Sequence, residues 1–466
     1  MSTTKPAFTA VETETPTSAT SIKSIKSKNR KRLIVLCDGT WQDSTADNAS
    51  DYPSNVTRFS RALKSSTWVP KKDDSGDLEE VEQIVYYQKG VGTGTLDGLI
   101  GGAVGLGVSA NVRAAYSFLS HNYDPEDEIF FFGFSRGAYT ARSIAGLVNA
   151  HGLLTKKGMD CFPALYNLYY RKQDKTNAND AEEARFVQKL VDAGLLQRKA
   201  ADAVEVVGVW DTVAFHQSWF GKGPLGRLLG MGSERIEFRN AMLSNKVKYG
   251  YHALALDERR KAFLPTLWHY PKTGSAEAKP REDGTTTKEM EQVWFSGNHT
   301  DVGGGHAKPR LSDIPLVWMI AQCKRDNKLA FDDDYLLDKR KVKATETTAW
   351  DTCQGATGSG SKGWISSIAD KIWRAAPVLS ADRQPLREND TNESIHCSIA
   401  DRAFGACKGS GNAKRYECPC LTGECDERGW QVKWDTSKRL QMKEPHDVEH
   451  RFKGRVRKAS NSLEKE

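Results

Sequence analysis

The sequence predicts an α/β protein built on a mostly parallel sheet, and three observations support this fold class. Short apolar runs alternate with helical patterns over residues 32–325. The run Ile129–Phe132 has no polar residue, as expected of a strand buried on both faces of a parallel sheet. A glycine-flanked serine, Ser135, follows that run and leads into a further helical pattern.

The serine lies in the pentapeptide Gly133-Phe134-Ser135-Arg136-Gly137, which has the form G-x-S-x-G. A buried strand, a serine in a tight turn and then a helix are the parts of a nucleophile elbow. Glycines suit the positions on either side because backbone passes close to such a strained turn. The alternative is an ordinary strand-to-helix turn, since the pentapeptide also occurs in unrelated chains. With its flanking elements it predicts an α/β-hydrolase-like fold with helical cap insertions.

The elements before this turn begin with a strand at 32–37, after a basic, Ser- and Thr-rich arm over residues 1–31 that we expect to be disordered. Asp38, Gly39 and Thr40 follow the strand and belong at the carboxyl edge of the sheet, where α/β proteins bind ligands. The patterns then predict a helix over 55–63, a charged loop over 68–80, a strand over 83–87 and a helix over 109–121.

A glycine-rich stretch, 96–108, precedes that last helix, whose predicted N-cap is Ser109 or Asn111. The stretch lacks the lysine of a P-loop, and no G-x-G-x-x-G opens it at a strand end. A mobile or membrane-touching flap and plain close packing are equal alternatives.

After the serine, charged helical patterns over 151–200 predict a cap insertion, and the strand Val204–Trp210 leads directly to Asp211. A second insertion is predicted over 214–290. Its apolar, glycine-containing part, 214–265, suits an acyl-chain pocket or lid, or packing against the cap. The patterns then predict a charged loop over 271–291, a strand over 292–296 that leads to His299, and a helix over 312–325 capped by Ser312 and Asp313.

The predicted organisation is a catalytic domain at 32–345, a linker or loop at 346–363 and a cysteine-rich extension at 364–435 that packs on the core. A charged tail, helical or disordered, follows at 436–466. Nine cysteines in a chain this long favour reduced thiols. Zinc is the alternative for the C-terminal cysteines with His396, but no C-x-x-C pair is present, so no metal and no cofactor are expected.

Three polar residues at successive strand ends predict the chemistry. A serine hydroxyl needs an adjacent base that a carboxylate orients, and α/β-hydrolases supply these in the order Ser, acid, His. Ser135 is the predicted nucleophile, Asp211 the acid and His299 the base. The alternates are Asp301 as the acid, His306 as the base, and Asp38. Backbone N–H groups of Arg136 and of Gly39 or Thr40 are the predicted oxyanion donors.

Charge and hydropathy narrow the class of protein. The net charge of +7 comes from basic residues that are scattered apart from the arm, so no nucleic-acid partner is expected. Residues 1–30 lack an apolar segment, so no secretory signal is expected. No run of eighteen apolar residues is present. The expected location is intracellular, cytoplasmic, with membrane-associated and nuclear alternatives left open by the basic arm. The oligomeric state is not predicted.

Several motifs in shared order resemble the α/β-hydrolase family of bacterial type VI secretion lipase effectors of the first subclass, which also has fungal members. The motifs are L-C-D-G-T-W at 36–41, N-V-x-R at 55–58, G-V-G-T-G at 90–94, G-F-S-R-G-A at 133–138, G-V-W-D-T-V at 208–213 and H-T-D-V-G-G-G at 299–305. The resemblance implies a Ser-Asp-His hydrolase of phospholipase A type, with these roles at Ser135, Asp211 and His299. One departure is His306, where an aromatic residue is common.

The sequence therefore predicts a serine hydrolase that cleaves acyl esters of phospholipid or a related lipid, with peripheral contact to a membrane. A housekeeping or lipid-remodelling role is expected rather than that of a delivered effector. One alternative keeps the chemistry on a small soluble ester or thioester. Another is a non-catalytic module of this fold that binds lipid or a protein partner.

Overall fold

A computed structural model describes the chain over residues 30–39, 53–72, 75–90, 103–170, 177–213, 242–305, 310–336, 382–399, 418, 420–426, 429–435, 437–443, 445 and 449. The predicted arm up to residue 29, most of the apolar segment at 214–265 and the whole linker at 346–363 lie outside these residues. So do Thr40 and His306, and the domain boundaries stay predictions.

The described residues form a mixed α/β structure around one large sheet of eleven strands, in the order β11-β12-β13-β10-β9-β8-β7-β4-β1-β3-β2. All pairs from β3 to β13 through the centre of the sheet are parallel, and the antiparallel pairs β2–β3, β11–β12 and β12–β13 lie towards its edges. The strands are β1 Lys31–Cys37, β2 Ser66–Pro70, β3 Leu78–Gln88, β4 Glu128–Phe134, β5 Leu153–Leu154, β6 Leu196–Gln197, β7 Val204–Trp210, β8 Tyr249–Ala255, β9 Glu289–Phe295, β10 Glu393–His396, β11 Leu421–Asp426, β12 Gly429–Val432 and β13 Arg439–Lys443.

Helices cover both faces of this sheet, with short 3-10 helices in the connections. The α-helices are α1 Asn55–Ala62, α2 Ala103–Asn122, α3 Arg136–His151, α4 Phe162–Tyr170, α5 Asn177–Asp192, α6 His299–Gly303, α7 Arg310–Lys324 and α8 Asp333–Leu336. The 3-10 helices are Lys157–Cys161, Arg198–Asp202, Lys261–Phe263, Ala276–Ala278 and Arg325–Asn327.

The alternation of side chains along the central strands builds two cores, one on each face. In β1, Leu33 and Val35 pack with α2, α3, α4 and α5, while Ile34 and Leu36 pack with α1 and α7. Successive side chains of a strand point to opposite faces, so a strand with helices on both sides must be apolar throughout. All seven residues of β1 are buried. The two cores therefore fix the carboxyl ends of the parallel strands at one edge of the sheet. The polar residues that follow these strands lie at the same edge.

The charged segment 151–200 contains α4 and α5, as the helical patterns predicted, together with the antiparallel pair β5–β6. These helices pack on α2 and α3: Tyr116 lies against Phe162, and the Tyr166 hydroxyl donates to Ser109 Oγ at 3.0 Å. The described part of this insertion thus adds helices outside α2 and α3 on one face of the sheet.

Several predicted elements were wrong in extent. The charged loop at 68–80 is shorter, because residues 68–70 belong to β2 and residues 78–80 to β3, which pair as a hairpin. Helix α2 begins at Ala103, so neither Ser109 nor Asn111 caps it, and α7 begins at Arg310, before Ser312. The predicted insertion at 214–290 contains the central strand β8, which lies between β7 and β9.

The C-terminal segment continues the main sheet. Strand β10 pairs in parallel with β9, and β13 pairs with β10, although residues after 436 were predicted to be a helix or disordered. Trp430 and Ile395 join Trp294 and Leu254 in a third buried cluster. The cysteine-rich extension is therefore built onto the core through backbone pairing.

Candidate active site

Ser135 lies in a strained turn between β4 and α3. Its backbone has φ 57° and ψ −121°, a left-handed conformation that a residue with a side chain rarely adopts. The Ser135 N–H donates to the carbonyl of Trp210, at the end of β7, at 3.0 Å. The turn therefore holds the hydroxyl at the carboxyl edge of the sheet, beside the end of the neighbouring strand.

The two glycines of G-x-S-x-G are required by close backbone contacts. A Cβ atom on Gly137 would lie 2.2 Å from the carbonyl oxygen of Cys37, and one on Gly133 would lie 2.5 Å from the carbonyl oxygen of Gly137. Both distances are far below ordinary contact. The first turn of α3 therefore packs directly against the ends of β1 and β4, as the pentapeptide predicted.

Ser135, His299 and Asp211 form one hydrogen-bonded series. His299 Nε2 lies 2.8 Å from Ser135 Oγ, and His299 Nδ1 lies 2.6 Å from Asp211 Oδ2. A carboxylate can only accept, so Nδ1 carries the proton and Nε2 is left to accept from the serine hydroxyl. All three residues are buried. The three side chains that the sequence singled out, from the ends of β4, β7 and β9, are thus brought together.

The imidazole of His299 is held on several sides. Asn298 caps α6, and its side chain accepts from the N–H groups of Thr300 and Asp301. The His299 ring lies between Phe134, at 4.6 Å between ring centroids, and Phe263, at 4.8 Å. Its orientation is therefore fixed by its own helix cap as well as by its two polar partners.

Asp211 is fully buried, and its carboxylate accepts hydrogen bonds from two groups besides the imidazole. The N–H of Ala255 donates to Oδ1 at 3.1 Å, and the guanidinium of Arg383 lies 3.3 Å from Oδ1 and 3.1 Å from Oδ2. Burial acts to raise the pKa of Asp211, but the charges and hydrogen bonds of Arg383 and His299 outweigh it and lower the pKa to about 2. The carboxyl is therefore ionised at neutral pH.

Glu258, just after β8, connects the loop that follows β8 to this site. Its carboxylate accepts from the N–H of His299 at 3.2 Å and is bound by the Arg260 side chain at 2.7 and 2.8 Å. Burial acts to raise the pKa of Glu258, and the hydrogen bonds and charge of Arg260 lower it overall. A second buried carboxylate thus fixes the backbone of His299.

Of the alternates named from the sequence, the two acids, Asp301 and Asp38, are engaged elsewhere. Asp301 Oδ2 accepts from the N–H of Asn298 at 2.9 Å, which completes the cap of α6. Asp38 Oδ2 accepts from the hydroxyls of Ser54, Thr57 and Tyr87 at 2.6, 2.9 and 2.6 Å. Burial raises the pKa of Asp38, against the effect of these donors. The structure therefore brings Asp211, not Asp301, to the imidazole.

The predicted oxyanion donors differ in their surroundings. Arg136 is the first residue of α3, where the helix dipole favours negative charge. The Gly39 N–H donates to Asp38 Oδ1 at 2.7 Å. It would have to break this hydrogen bond before it could donate to an oxyanion. Burial lowers the pKa of the Arg136 side chain to about 10.

Arg383, Glu258 and Phe263 were not predicted to belong to the site. Arg383 is 172 residues from Asp211 in sequence, and no periodic pattern joins them. The only available signal was physical: a buried carboxylate needs a compensating charge, but the sequence does not say which arginine supplies it.

Across the described residues, no group of three or more His, Cys, Asp or Glu side chains is placed to hold a metal ion. The Sγ atoms of Cys418 and Cys420 lie 3.2 Å apart, longer than the roughly 2.05 Å of a disulfide. In the same segments, no helix is long and apolar enough to cross a membrane.

A hydroxyl, an imidazole and a carboxylate joined in this order are the arrangement that serine hydrolases share on unrelated folds. Comparison with known families agrees with the resemblance seen in the motifs. The family described as "T6SS, Phospholipase effector Tle1-like, catalytic domain" matches residues 31–322. The chain belongs to this family, whose name associates it with lipid ester hydrolysis.

Individual relatives are distant. An uncharacterized protein of Saccharomyces cerevisiae, YEL023C, is 26% identical over 254 residues, which are 51% of this chain and 32% of that protein. The chain thus matches about a third of the length of this curated relative.

Two solved structures are also similar to this chain. One is the Tle1 effector bound to the VgrG spike of the type 6 secretion system, with 19% identity, a TM-score of 0.27, and coverage of 60% of this chain and 52% of that one. The other is an uncharacterized protein from Pseudomonas aeruginosa, with 17% identity, a TM-score of 0.34, and coverage of 75% and 58%.

Proposed function

We propose that this chain is a serine hydrolase of the α/β-hydrolase fold that cleaves acyl esters of phospholipid or a related lipid. The observation that carries the proposal is the hydrogen-bonded series Ser135–His299–Asp211, in which each residue follows a parallel strand at the same edge of the sheet. The strained backbone at Ser135 and the N-terminus of α3 directly after it support the same reading. Membership of a phospholipase effector family supports the lipid substrate.

In the first half of the reaction, Ser135 Oγ attacks the acyl carbonyl carbon while His299 Nε2 takes the hydroxyl proton. Asp211 keeps the imidazole in the tautomer with Nδ1 protonated and stabilises the imidazolium. The carbonyl oxygen becomes an oxyanion, to which the Arg136 N–H at the start of α3 donates. When the intermediate collapses, Nε2 gives its proton to the leaving alcohol, and the acyl group stays on Ser135.

In the second half, a water molecule gives a proton to His299 Nε2 and attacks the acyl-enzyme. Collapse of the second tetrahedral intermediate releases the fatty acid and returns the proton to Ser135 Oγ. A second oxyanion donor from Gly39 requires that its N–H leave Asp38, and Thr40 stays a predicted donor. Losing one such donor typically costs about 3 kcal/mol of transition-state stabilisation.

The substrate class is tested with wild type and Ser135→Ala on a short-chain phosphatidylcholine below and above its micellar concentration, and on vesicles of a long-chain phosphatidylcholine. We expect wild type to release free fatty acid and lysophospholipid, with a rise in rate when the short-chain lipid forms micelles. Ser135→Ala should release neither product.

Two results would count against the proposal. Hydrolysis of a monomeric p-nitrophenyl ester, with no rise on micelles and no release from vesicles, would favour a small soluble ester as the substrate. Binding of vesicles with no product from any of these esters would favour a non-catalytic module.

A further inference from the structure

The acid of the candidate triad is held by a residue from the C-terminal part of the chain. Arg383 is buried, with 2% of its surface exposed, and its guanidinium contacts both carboxylate oxygens of Asp211. Its Nη2 also donates to the carbonyl of Phe263 at 2.6 Å. Since Phe263 packs against the ring of His299 at 4.8 Å, one side chain supports both the carboxylate and a wall of the imidazole site.

The position of Arg383 is itself fixed by the sheet extension. Leu386 donates its N–H to Glu393 Oε2 at 2.9 Å, at the start of β10, and Glu393 also accepts from the Trp294 indole of β9 at 2.8 Å. The Trp434 indole donates to the carbonyl of Pro385 at 2.8 Å. The segment that carries Arg383 is thereby bound to the central sheet on one side and to the end of β12 on the other.

The positive charge of Arg383 compensates the buried negative charge of Asp211. Asp211 has no exposed surface, and an unpaired buried carboxylate costs several kcal/mol or takes up a proton. A protonated Asp211 would no longer stabilise an imidazolium. Arg383 supplies a full positive charge in contact with both oxygens of Asp211, and it keeps that charge whatever the protonation state of His299.

We propose that the segment around Arg383 completes the active site from outside the region matched by the family, with Arg383 as the positioning residue that keeps Asp211 ionised and aimed at His299. The proposal rests on the proposed function of the Ser135–His299–Asp211 series. It assigns the C-terminal extension a part in catalysis, because the family match ends at residue 322.

The test compares full-length wild type, Arg383→Ala, Arg383→Lys, Arg259→Gln and Asp211→Asn by the rate of covalent labelling of Ser135 with a fluorophosphonate. Arg259 forms a neighbouring, largely exposed ion pair with Asp382 at 2.9 Å, so its substitution is a matched control that leaves Asp211 untouched. Thermal unfolding of each variant reports on the fold. Labelling of Arg383→Ala is repeated with added guanidinium chloride at concentrations well below those that unfold the protein.

We expect Arg383→Ala to label about 10²-fold more slowly, as for a catalytic group displaced by about 1 Å, with Arg259→Gln at the wild-type rate. Guanidinium should restore part of the rate to Arg383→Ala and none to Asp211→Asn, a response that loss of packing alone would not give. Arg383→Lys keeps the positive charge but loses the bidentate contact with the carboxylate. We therefore expect this variant to fold, and its Ser135 to be labelled more slowly than that of wild type.

Equal labelling of wild type and a folded Arg383→Ala would overturn the positioning role alone. If Arg383→Ala does not fold, a wild-type rate for Arg383→Lys overturns it instead. A slowed Arg383→Ala that guanidinium does not accelerate also counts against it. Failure of wild type to label at all is a different result, because it contradicts the proposed function on which this role rests.

Discussion

Gly137→Ala perturbs the elbow without touching any of the three candidate catalytic side chains. Gly137 is the second residue of α3, and a Cβ atom there would meet the carbonyl oxygen of Cys37 at 2.2 Å and that of Asp38 at 2.4 Å. Both neighbours are backbone atoms at the end of β1, which is buried and paired on both sides by β3 and β4. The strand cannot give way cheaply, so the helix must move.

The size of the movement follows from these distances. Ordinary contact begins at 3.4 Å, so the first turn of α3 must shift by about 1 Å from Cys37 to accept the methyl group. Ser135 precedes this turn directly, and a displacement of that size costs on the order of 10² in rate where a nucleophile must meet its base. Overpacking of this kind also destabilises proteins, by about 1–3 kcal/mol.

Gly146→Ala is the matched control, because Gly146 lies in the same helix and its added Cβ would meet only the hydroxyl of Tyr169 at 3.0 Å. In a helix interior alanine is favoured over glycine by about 1 kcal/mol, which offsets that contact. The assay is the fluorophosphonate labelling rate together with urea unfolding. We expect Gly137→Ala to lose labelling and stability while Gly146→Ala keeps both. Equal behaviour of the two variants would refute the close packing of the elbow as the reason for the glycine.

Two further predictions concern strain and charge. Ser135→Gly and Ser135→Ala should both be inactive, but glycine relieves the left-handed strain, so the glycine variant should be the more stable by about 1–3 kcal/mol in urea; equal stability would contradict the strain. The pKa of Asp211 falls from 3.8 to about 2 on folding, so its ionised form contributes about 2 kcal/mol of stability above pH 4 that is lost as the pH falls towards 2. Asp211→Asn, which leaves Arg383 without its charged partner, should be less stable at pH 7 and lose less stability between those values. An acid profile parallel to that of wild type would count against the ionised carboxylate.

The centre of the site was predictable because its chemistry follows strand ends. Ile129–Phe132 is an apolar run that leads through Gly133 and Phe134 to Ser135, and the structure has it in β4. Val204–Trp210, apolar apart from Glu205, leads directly to Asp211 and forms β7. Parallel strands end at one edge, so Ser135, Asp211 and His299 were expected to converge, and their side chains do meet. The local sequence could predict these strands because a strand that is buried on both faces is a nearly continuous apolar run.

Strand β8 was missed because a buried polar residue interrupts its pattern. Tyr249–Ala255 includes His252, which is fully buried, accepts from the Thr212 N–H at 3.1 Å and pairs with Gln292 through Nδ1. Burial is the largest cause that lowers the pKa of His252 to about 3, so the ring stays neutral in the core. A histidine satisfied by a residue 40 positions away gives no local signal of a strand.

Arg383 and helix α2 show two other limits. The ion pair of Arg383 with Asp211 is a long-range electrostatic contact, which neither periodicity nor spacing encodes. Helix α2 extends back to Ala103 through Gly105 and Gly107, each of which disfavours a helix by about 1 kcal/mol relative to alanine. Tertiary packing of the later turns, such as Tyr116 in the core, overrides that local preference.

The measurement that tests the central claim most directly is covalent labelling of the full chain with a fluorophosphonate, read by intact mass and peptide mapping. We predict a single adduct on Ser135, absent from Ser135→Ala and formed much more slowly by His299→Ala, because Nε2 of His299 is the base that activates the hydroxyl. No adduct on a folded, monodisperse wild-type protein, or an adduct that persists in Ser135→Ala, would contradict the assignment of Ser135 as the nucleophile.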